Sequence, residues 1–267
     1  MSAESSASVA PGDFLAEVFD VADRVAVVVG GTSGIGEAGA VALGRCGARV
    51  VVAGRNQTRA DAVVSQIEAH GGVAEAGAVD VLDEASVEQL ASSVMEKHGR
   101  VDILVCSAGV FAMEPSVDVS LESWRHAIDT NLTGTFLACR AFGRLMIAAG
   151  SGRIINLAST DSIVGVPEEA AYCASKGGVV QLTRTLGAEW IKHGVHVNAL
   201  APTDFDTPLI AGVLADPEYL AWITTAIPAG RVGQPEELIG AILFLASPAS
   251  NMVVGSTLMV DGGRTVI

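Results

Sequence analysis

The sequence predicts an α/β fold of three layers, in which a seven-stranded parallel sheet is covered by helices on both faces. Three observations predict it. From residue 25 onward, short β-branched runs alternate with longer amphipathic stretches. The β-branched runs are apolar throughout rather than alternating, as strands buried on both faces must be. The chain has 267 residues, half of them hydrophobic and 17% charged, so it can bury such a core.

The elements follow in order. Residues 1–18 are rich in Ser, Ala and Glu and are expected to form a flexible tail, with Phe14, Leu15 and Val18 on a short docking helix. Strands are expected at 25–29, 49–53, 73–79, 101–106, 153–159, 195–201 and 257–260. Helices are expected at 35–46, 59–70, 84–98, 121–149, 170–193 and 235–245. No repeat or linker follows residue 20, so 19–267 reads as one domain. Residues 203–230 interrupt the alternation with several prolines, Tyr219 and Trp222, and predict a helical flap over a site. The uncharged stretch 239–260 is broken by Ser247-Pro248-Ala249-Ser250-Asn251 and by Gly255-Ser256-Thr257. It reads as a buried helix, a turn and a buried strand, not as a membrane span.

A net charge of −14 argues against nucleic acid and anionic membrane surfaces as partners, since both need clustered Lys and Arg. The N-terminus has no positive region followed by an apolar run, so no secretory signal is read. Cys46, Cys106, Cys139 and Cys173 match no zinc or redox spacing. They are expected to be free thiols in a cytoplasmic protein without a metal site.

The first strand runs into Gly30-Gly31-Thr32-Ser33-Gly34-Ile35-Gly36, which opens a helix. Glycines at this spacing allow a sharp turn and close backbone approach to a pyrophosphate. The helix N-terminus turns its free N–H groups and positive dipole end towards that phosphate. The strand before and the helix after distinguish such a turn from an ordinary glycine loop. Gly30, Thr32, Ser33, Gly34, Ile35 and Gly36 are therefore expected around a dinucleotide. The second strand should end on the adenosine ribose, where an acidic residue would repel a 2′-phosphate. Gly54-Arg55 stands there instead. A guanidinium offers a planar fork to phosphate, which favours NADP(H) with NAD(H) still possible. The other reading makes Arg55 a solvated loop side chain. Asp80-Val81, after the third strand, fits an adenine contact or a loop cap.

Tyr172-Cys173-Ala174-Ser175-Lys176 places a tyrosine and a lysine at i and i+4, side by side on a helix. Ser159 lies 13 positions earlier, at a strand end. An ammonium about 5 Å from a phenol, at an effective dielectric near 20, favours phenolate by about 3 kcal/mol, roughly two pKa units. Tyr172 is thus expected below its ordinary pKa and ready to act as general acid or base, with Ser159 holding the same oxygen.

Together with the glycine turn and the Asn131 region, these residues resemble the short-chain dehydrogenase/reductase family. The likeness spans residues 19–263 and includes Arg231-Val232-Gly233-Gln234-Pro235-Glu236-Glu237 and Val260-Asp261-Gly262-Gly263. It implies a doubly wound Rossmann-type fold, an NAD(P)-dependent oxidoreductase acting on CH–OH groups, and a homotetramer. It further implies that Lys176 bonds the nicotinamide ribose and that Asn131 holds a water in a proton relay. By the same resemblance, Ser107, Ala108, Gly109, Pro202 and Thr203 lie beside the cofactor, and Thr207 contacts its carboxamide. The sequence departs from the family pattern at Val29 (usually Thr), at Cys106-Ser107-Ala108-Gly109 (usually Asn-Asn-Ala-Gly) and at Pro202-Thr203 (usually Pro-Gly). These departures bear on how the cofactor is positioned, not on the reaction class.

Residues 182–190 and 209–231, with Asp216-Pro217-Glu218, Trp222 and Pro228-Ala229-Gly230-Arg231, resemble sugar-acid reductases of the gluconate 5-dehydrogenase type. A second likeness is to 3-oxoacyl reductases. Charge argues against both substrates. The expected rim segments 111–117, 160–169 and 203–230 hold no Lys or Arg. They hold Glu114, Asp161, Glu168, Glu169, Asp204, Asp206, Asp216 and Glu218. A carboxylate in a closed pocket needs a cation, and the nearest by sequence is Arg231. A carrier protein needs a basic docking surface. The expected substrate is therefore a neutral, or a cationic, ketone or secondary alcohol. Besides a 3-oxoacyl reductase served by a carrier protein, two alternatives stay open. In one the acids face solvent while Arg231 or a neighbouring subunit's cation serves a sugar acid. In the other the chain is a dinucleotide-binding regulator without catalysis.

Overall fold

The computed structural model describes residues 11–266, and residues 1–10 of the expected tail lie outside them. Helix α1 (Pro11–Val18) leaves Phe14 and Leu15 exposed. Seven strands follow: β1 (Val25–Val29), β2 (Arg49–Gly54), β3 (Val73–Ala78), β4 (Ile103–Cys106), β5 (Gly152–Leu157), β6 (Val195–Pro202) and β7 (Thr257–Val260). They form one sheet in the order β3-β2-β1-β4-β5-β6-β7, and every pairing is parallel. The chain runs outward from β1 to β3, returns to the other flank of β1, and runs the opposite way to β7. That reversal leaves a crevice at the carboxyl ends of β1 and β4, where open α/β sheets bind ligands.

The helices between strands are α2 (Gly34–Arg45), α3 (Gln57–Ala69), α4 (Glu84–His98), α5 (Leu121–Ile128), α6 (Gly134–Ala149) and α7 (Ala170–Trp190). After β6 come α8 (Ala211–Leu214), α9 (Pro217–Ala226) and α10 (Ile239–Ala246). The apolar strand runs have a direct structural reason. All of β1 is buried, with Val25, Val27 and Val29 packing among Leu90, Phe142 and Trp190 on one face. Ala26 and Val28 pack among Leu43, Ile67 and Ile242 on the other. The stretch 239–260 does fold as helix, turn and strand. Its strand β7 is half-buried rather than buried, because it forms one edge of the sheet.

The helix expected over 121–149 is interrupted. Residues Asp129–Thr133 form a π-helical turn between α5 and α6. Among the described residues this helical run alone is long and apolar enough to cross a membrane. Half of its most apolar window is buried, and it packs against α4, α7 and the sheet. Within residues 203–230 the helices are α8 and α9, and residues 203–210 join them to β6 without helix. Asp216 Oδ1 caps α9 by accepting from the Glu218 N–H at 2.9 Å.

Candidate active site

A cleft of about 410 Å³ runs along the carboxyl edge of the sheet, from the glycine turn after β1 to the flap helix α9. Of the residues expected at the site, the cleft is lined by Gly30, Thr32, Ser33, Gly34, Ile35, Arg55, Asp80, Val81, Ser107, Ala108, Gly109, Ser159, Tyr172, Lys176, Pro202, Thr203 and Thr207. Gly36 and Asn131 do not line it.

The glycine turn is shaped by close backbone contacts. Gly30 adopts φ +83°, and a Cβ there would sit 2.3 Å from the Ala108 nitrogen. Gly36 lies behind the turn, where a Cβ would be 2.2 Å from the Gly30 carbonyl oxygen, so it lets α2 pack and does not face the cleft. Ser33 caps α2 without a side-chain hydrogen bond, which leaves the first N–H groups of the helix to a ligand. The Thr130 and Thr203 hydroxyls are buried in the cleft wall without a hydrogen-bond partner. A bare backbone cradle, an open helix N-terminus and orphaned hydroxyls together fit a dinucleotide.

At the ribose end, a Cβ on Gly54 would already lie 2.7 Å from Thr32 Cγ2. Arg55 is exposed at the cleft mouth, beside Asn56 and a second guanidinium, Arg59. Sequence reasoning missed Arg59. It is brought to the site because Asn56 Oδ1 caps α3 by accepting from the Arg59 N–H at 3.0 Å. Asp80 lines the cleft, and its Oδ1 also accepts from the Leu82 N–H at 3.0 Å, a bond that caps the following loop.

At the catalytic end, α7 presents Tyr172 and Lys176 on one face, and Ser159 follows β5. Lys176 Nζ donates to the Leu157 carbonyl at 2.8 Å and lies 5.6 Å from the Tyr172 ring centre. Phe111 packs edge-on against Tyr172, 5.0 Å between centres. Asn131 is fully buried in the π-helical turn. Its Oδ1 accepts from the Val110 N–H at 2.8 Å, and its Nδ2 donates to the Val110 carbonyl and to Ser175 Oγ, both at 3.0 Å. Its side chain therefore braces the 109–110 loop against α7, and Thr135 donates to its carbonyl at 2.7 Å. Gly109 lets that loop approach, since a Cβ there would be 3.2 Å from Asn131 Oδ1.

The expected lowering of Tyr172 is corrected by its surroundings. Burial, then the charge of Asp161, push the phenol well above its ordinary value, with Glu169 and Asp204 adding to the rise. Only the neighbouring Ser159 hydroxyl opposes it. Burial also lowers Lys176 to about 8, which weakens the ammonium invoked to stabilise phenolate. Ser159 Oγ donates to Asp161 Oδ2 at 2.8 Å.

Three of the eight rim acids line the cleft, Asp161, Glu169 and Asp204. Glu114, Glu168, Asp206, Asp216 and Glu218 do not. Burial raises all three, Glu169 to about 8. The cation also differs from the one sequence proximity indicates. Arg231 is exposed and forms a two-pronged pair with Glu237 at 2.6 and 2.7 Å, outside the cleft. Arg264 lines the cleft instead, its guanidinium 5.4 Å from the Trp222 ring centre. Asp261 shapes the turn that presents it, accepting from the N–H groups of Gly263 at 3.0 Å and Thr265 at 2.9 Å. The Asp261-Gly262-Gly263 signal was legible in sequence, but the role of the arginine beside it was not.

Comparison with known proteins agrees with this geometry. The family model described as enoyl-(acyl carrier protein) reductase matches residues 29–265. The D-threitol dehydrogenase of Mycolicibacterium smegmatis is 40% identical over 255 residues, covering 93% of this chain and 95% of that protein. The 3-oxoacyl-[acyl-carrier-protein] reductase of Synechocystis is 42% identical over 245 residues, covering 91% and 97%. The crystal structure of a gluconate 5-dehydrogenase from Burkholderia cenocepacia, in complex with NADP and tartrate, superposes with a TM-score of 0.91 at 36% identity, covering 95% of this chain and 99% of that one. With its parallel sheet, its glycine turn and the Ser159, Tyr172 and Lys176 arrangement, the chain belongs to the short-chain dehydrogenase/reductase family, oxidoreductases that act on CH–OH groups with a nicotinamide dinucleotide.

Proposed function

We propose that the chain reversibly reduces a ketone to a secondary alcohol, prefers NADP(H), and takes a neutral small-molecule substrate. One observation carries this reading. Ser159, Tyr172 and Lys176 meet in a cleft whose walls also hold three acids and Arg264. The bound nicotinamide supplies or accepts the hydride. In reduction, Tyr172 gives its proton to the carbonyl oxygen. A phenol raised by burial holds that proton at neutral pH, which is the form reduction requires. Ser159 turns its hydroxyl hydrogen from Asp161 to the same oxygen and fixes it. Lys176, tied to the Leu157 carbonyl, keeps its chain beside Tyr172, where its ammonium would hold the nicotinamide ribose. Asn131 holds the 109–110 loop against α7. Arg55 and Arg59 support the 2′-phosphate preference.

The similarity to D-threitol dehydrogenase supports a neutral substrate. A sugar acid is the second reading, favoured by Arg264 in the cleft wall and by the similarity to gluconate 5-dehydrogenase. The test has two parts. NADPH and NADH are titrated separately, and NADPH is expected to bind tighter. Then kcat/KM is compared for neutral ketones and 5-ketogluconate. Faster 5-ketogluconate reduction, abolished in Arg264→Ala, would replace the neutral reading with the second.

A further inference from the structure

The flap end of the cleft carries more polar chemistry than one reacting oxygen needs. Asp161, Glu169 and Asp204 come from three segments: the turn after Ser159, the N-cap of α7 and the loop just after β6. Asp161 is held by the Ser159 and Thr160 hydroxyls, at 2.8 and 3.3 Å. Asp204 accepts from the Tyr219 hydroxyl at 2.8 Å. Glu169 is different. It is only 2% exposed, it lines the cleft, and its Oε2 is buried without any hydrogen-bond partner. The backbone is strained to put it there. The preceding Glu168 takes φ +67°, a left-handed conformation rare outside glycine, while its carbonyl accepts from the Glu114 N–H at 2.8 Å. A buried carboxyl oxygen with no partner costs free energy unless a ligand satisfies it.

We propose that Glu169 is a specificity-determining residue that hydrogen-bonds a second hydroxyl of the substrate, next to the carbon that reacts, so that the preferred substrates are neutral polyols and their ketoses. The proposal rests on the reading of the cleft as a secondary-alcohol site. Charge favours a polyol over an ammonium-bearing substrate. Burial raises Glu169 to about 8, so at neutral pH it carries its proton and both donates and accepts. The remaining carboxylates, Asp161 and Asp204, then stand against the cations Arg264 and Lys176 in the same cleft. A balanced wall rich in acceptors and donors suits hydroxyl groups, which a site built to bond them separates sharply from analogues lacking them.

The test compares a four-carbon tetritol with butan-2-ol, each titrated calorimetrically into the NADP⁺-loaded protein. The wild type is expected to bind the tetritol at least about ten-fold tighter. Glu169→Leu is expected to bring that ratio close to one, and Glu169→Gln to restore most of it, because the amide still bonds a hydroxyl. Glu169→Ala replaces the leucine variant if thermal unfolding shows that leucine is not accommodated. A wild-type ratio near one, or a ratio that the leucine or alanine variant leaves unchanged, overturns the proposal. Turnover is read in parallel. Oxidation of butan-2-ol without tetritol preference rejects the role of Glu169 and keeps the secondary-alcohol reading. Tetritol preference in binding with no oxidation of either does the reverse.

Discussion

Tyr219 donates its phenolic hydrogen to Asp204 Oδ1 at 2.8 Å, tying the flap helix α9 to the loop just after β6. Trp222, one turn further along α9, stacks on Arg264 from the C-terminal turn. The flap is thus latched at two points, both inside the cleft. Tyr219→Phe removes a hydrogen bond to a carboxylate, of the order of 1–2 kcal/mol. The expected result is faster amide exchange in α9 and a KM raised roughly three- to ten-fold with kcat little changed. Unchanged exchange would show that the stacking alone holds the flap.

Gly30→Ala is expected to be severe. The position has φ +83°, and the new Cβ would meet backbone atoms of Ala108, which cannot swing away as a side chain can. A loss of at least about 2 kcal/mol is expected, read as a lower thermal midpoint.

Arg55→Ala combined with Arg59→Ala should raise KM for NADPH by about ten-fold or more and leave KM for NADH nearly unchanged. Equal effects on both cofactors would place the guanidinium groups on a part of the dinucleotide that the two share.

The pH dependence of alcohol oxidation should report the acids around Tyr172. Oxidation requires the phenol to lose its proton, so the rate rises with pH. After burial, Asp161 is the strongest influence raising that phenol. Asp161→Asn removes the charge but keeps an acceptor for Ser159, so the rising limb should move to lower pH. An unmoved limb would assign it to another group.

Glu169 also gives stability a pH dependence. Its pKa rises from an ordinary 4.5 to about 8 on folding, through burial and then the charges of Asp161 and Asp204, with Arg264 opposing. Between those values the folded state binds the extra proton, so stability falls as pH rises from about 4.5 to 8. Glu169→Gln should flatten that fall in a series of thermal midpoints taken across the range.

Much of this molecule is readable from residue order. β1 and the glycine turn are legible because an uninterrupted valine run followed by glycines has few other uses, and Tyr172 and Lys176 because an i, i+4 pair stays a pair in any helix. What sequence hides is distance across the chain. Arg264 and Trp222 are far apart in sequence and meet only when the C-terminal turn closes on α9. Arg231 looks close in sequence, yet Glu237 claims it. The lowering expected for Tyr172 considered one lysine. It could not weigh the carboxylates that folding gathers around the same hydroxyl.

The π-helical turn at Asp129–Thr133 has a consequence for the whole helical run. Each α-helical residue advances by about 100°, so a turn wide enough for one additional residue sets the stripes of α5 and α6 out of phase by about that angle. The offset lets α5 lie against α7 while α6 lies against α4 and β5. The extra residue therefore acts as a swivel between two halves of one rod. Excising a single position there would bring the two stripes into line and carry Asn131 away from the loop it braces.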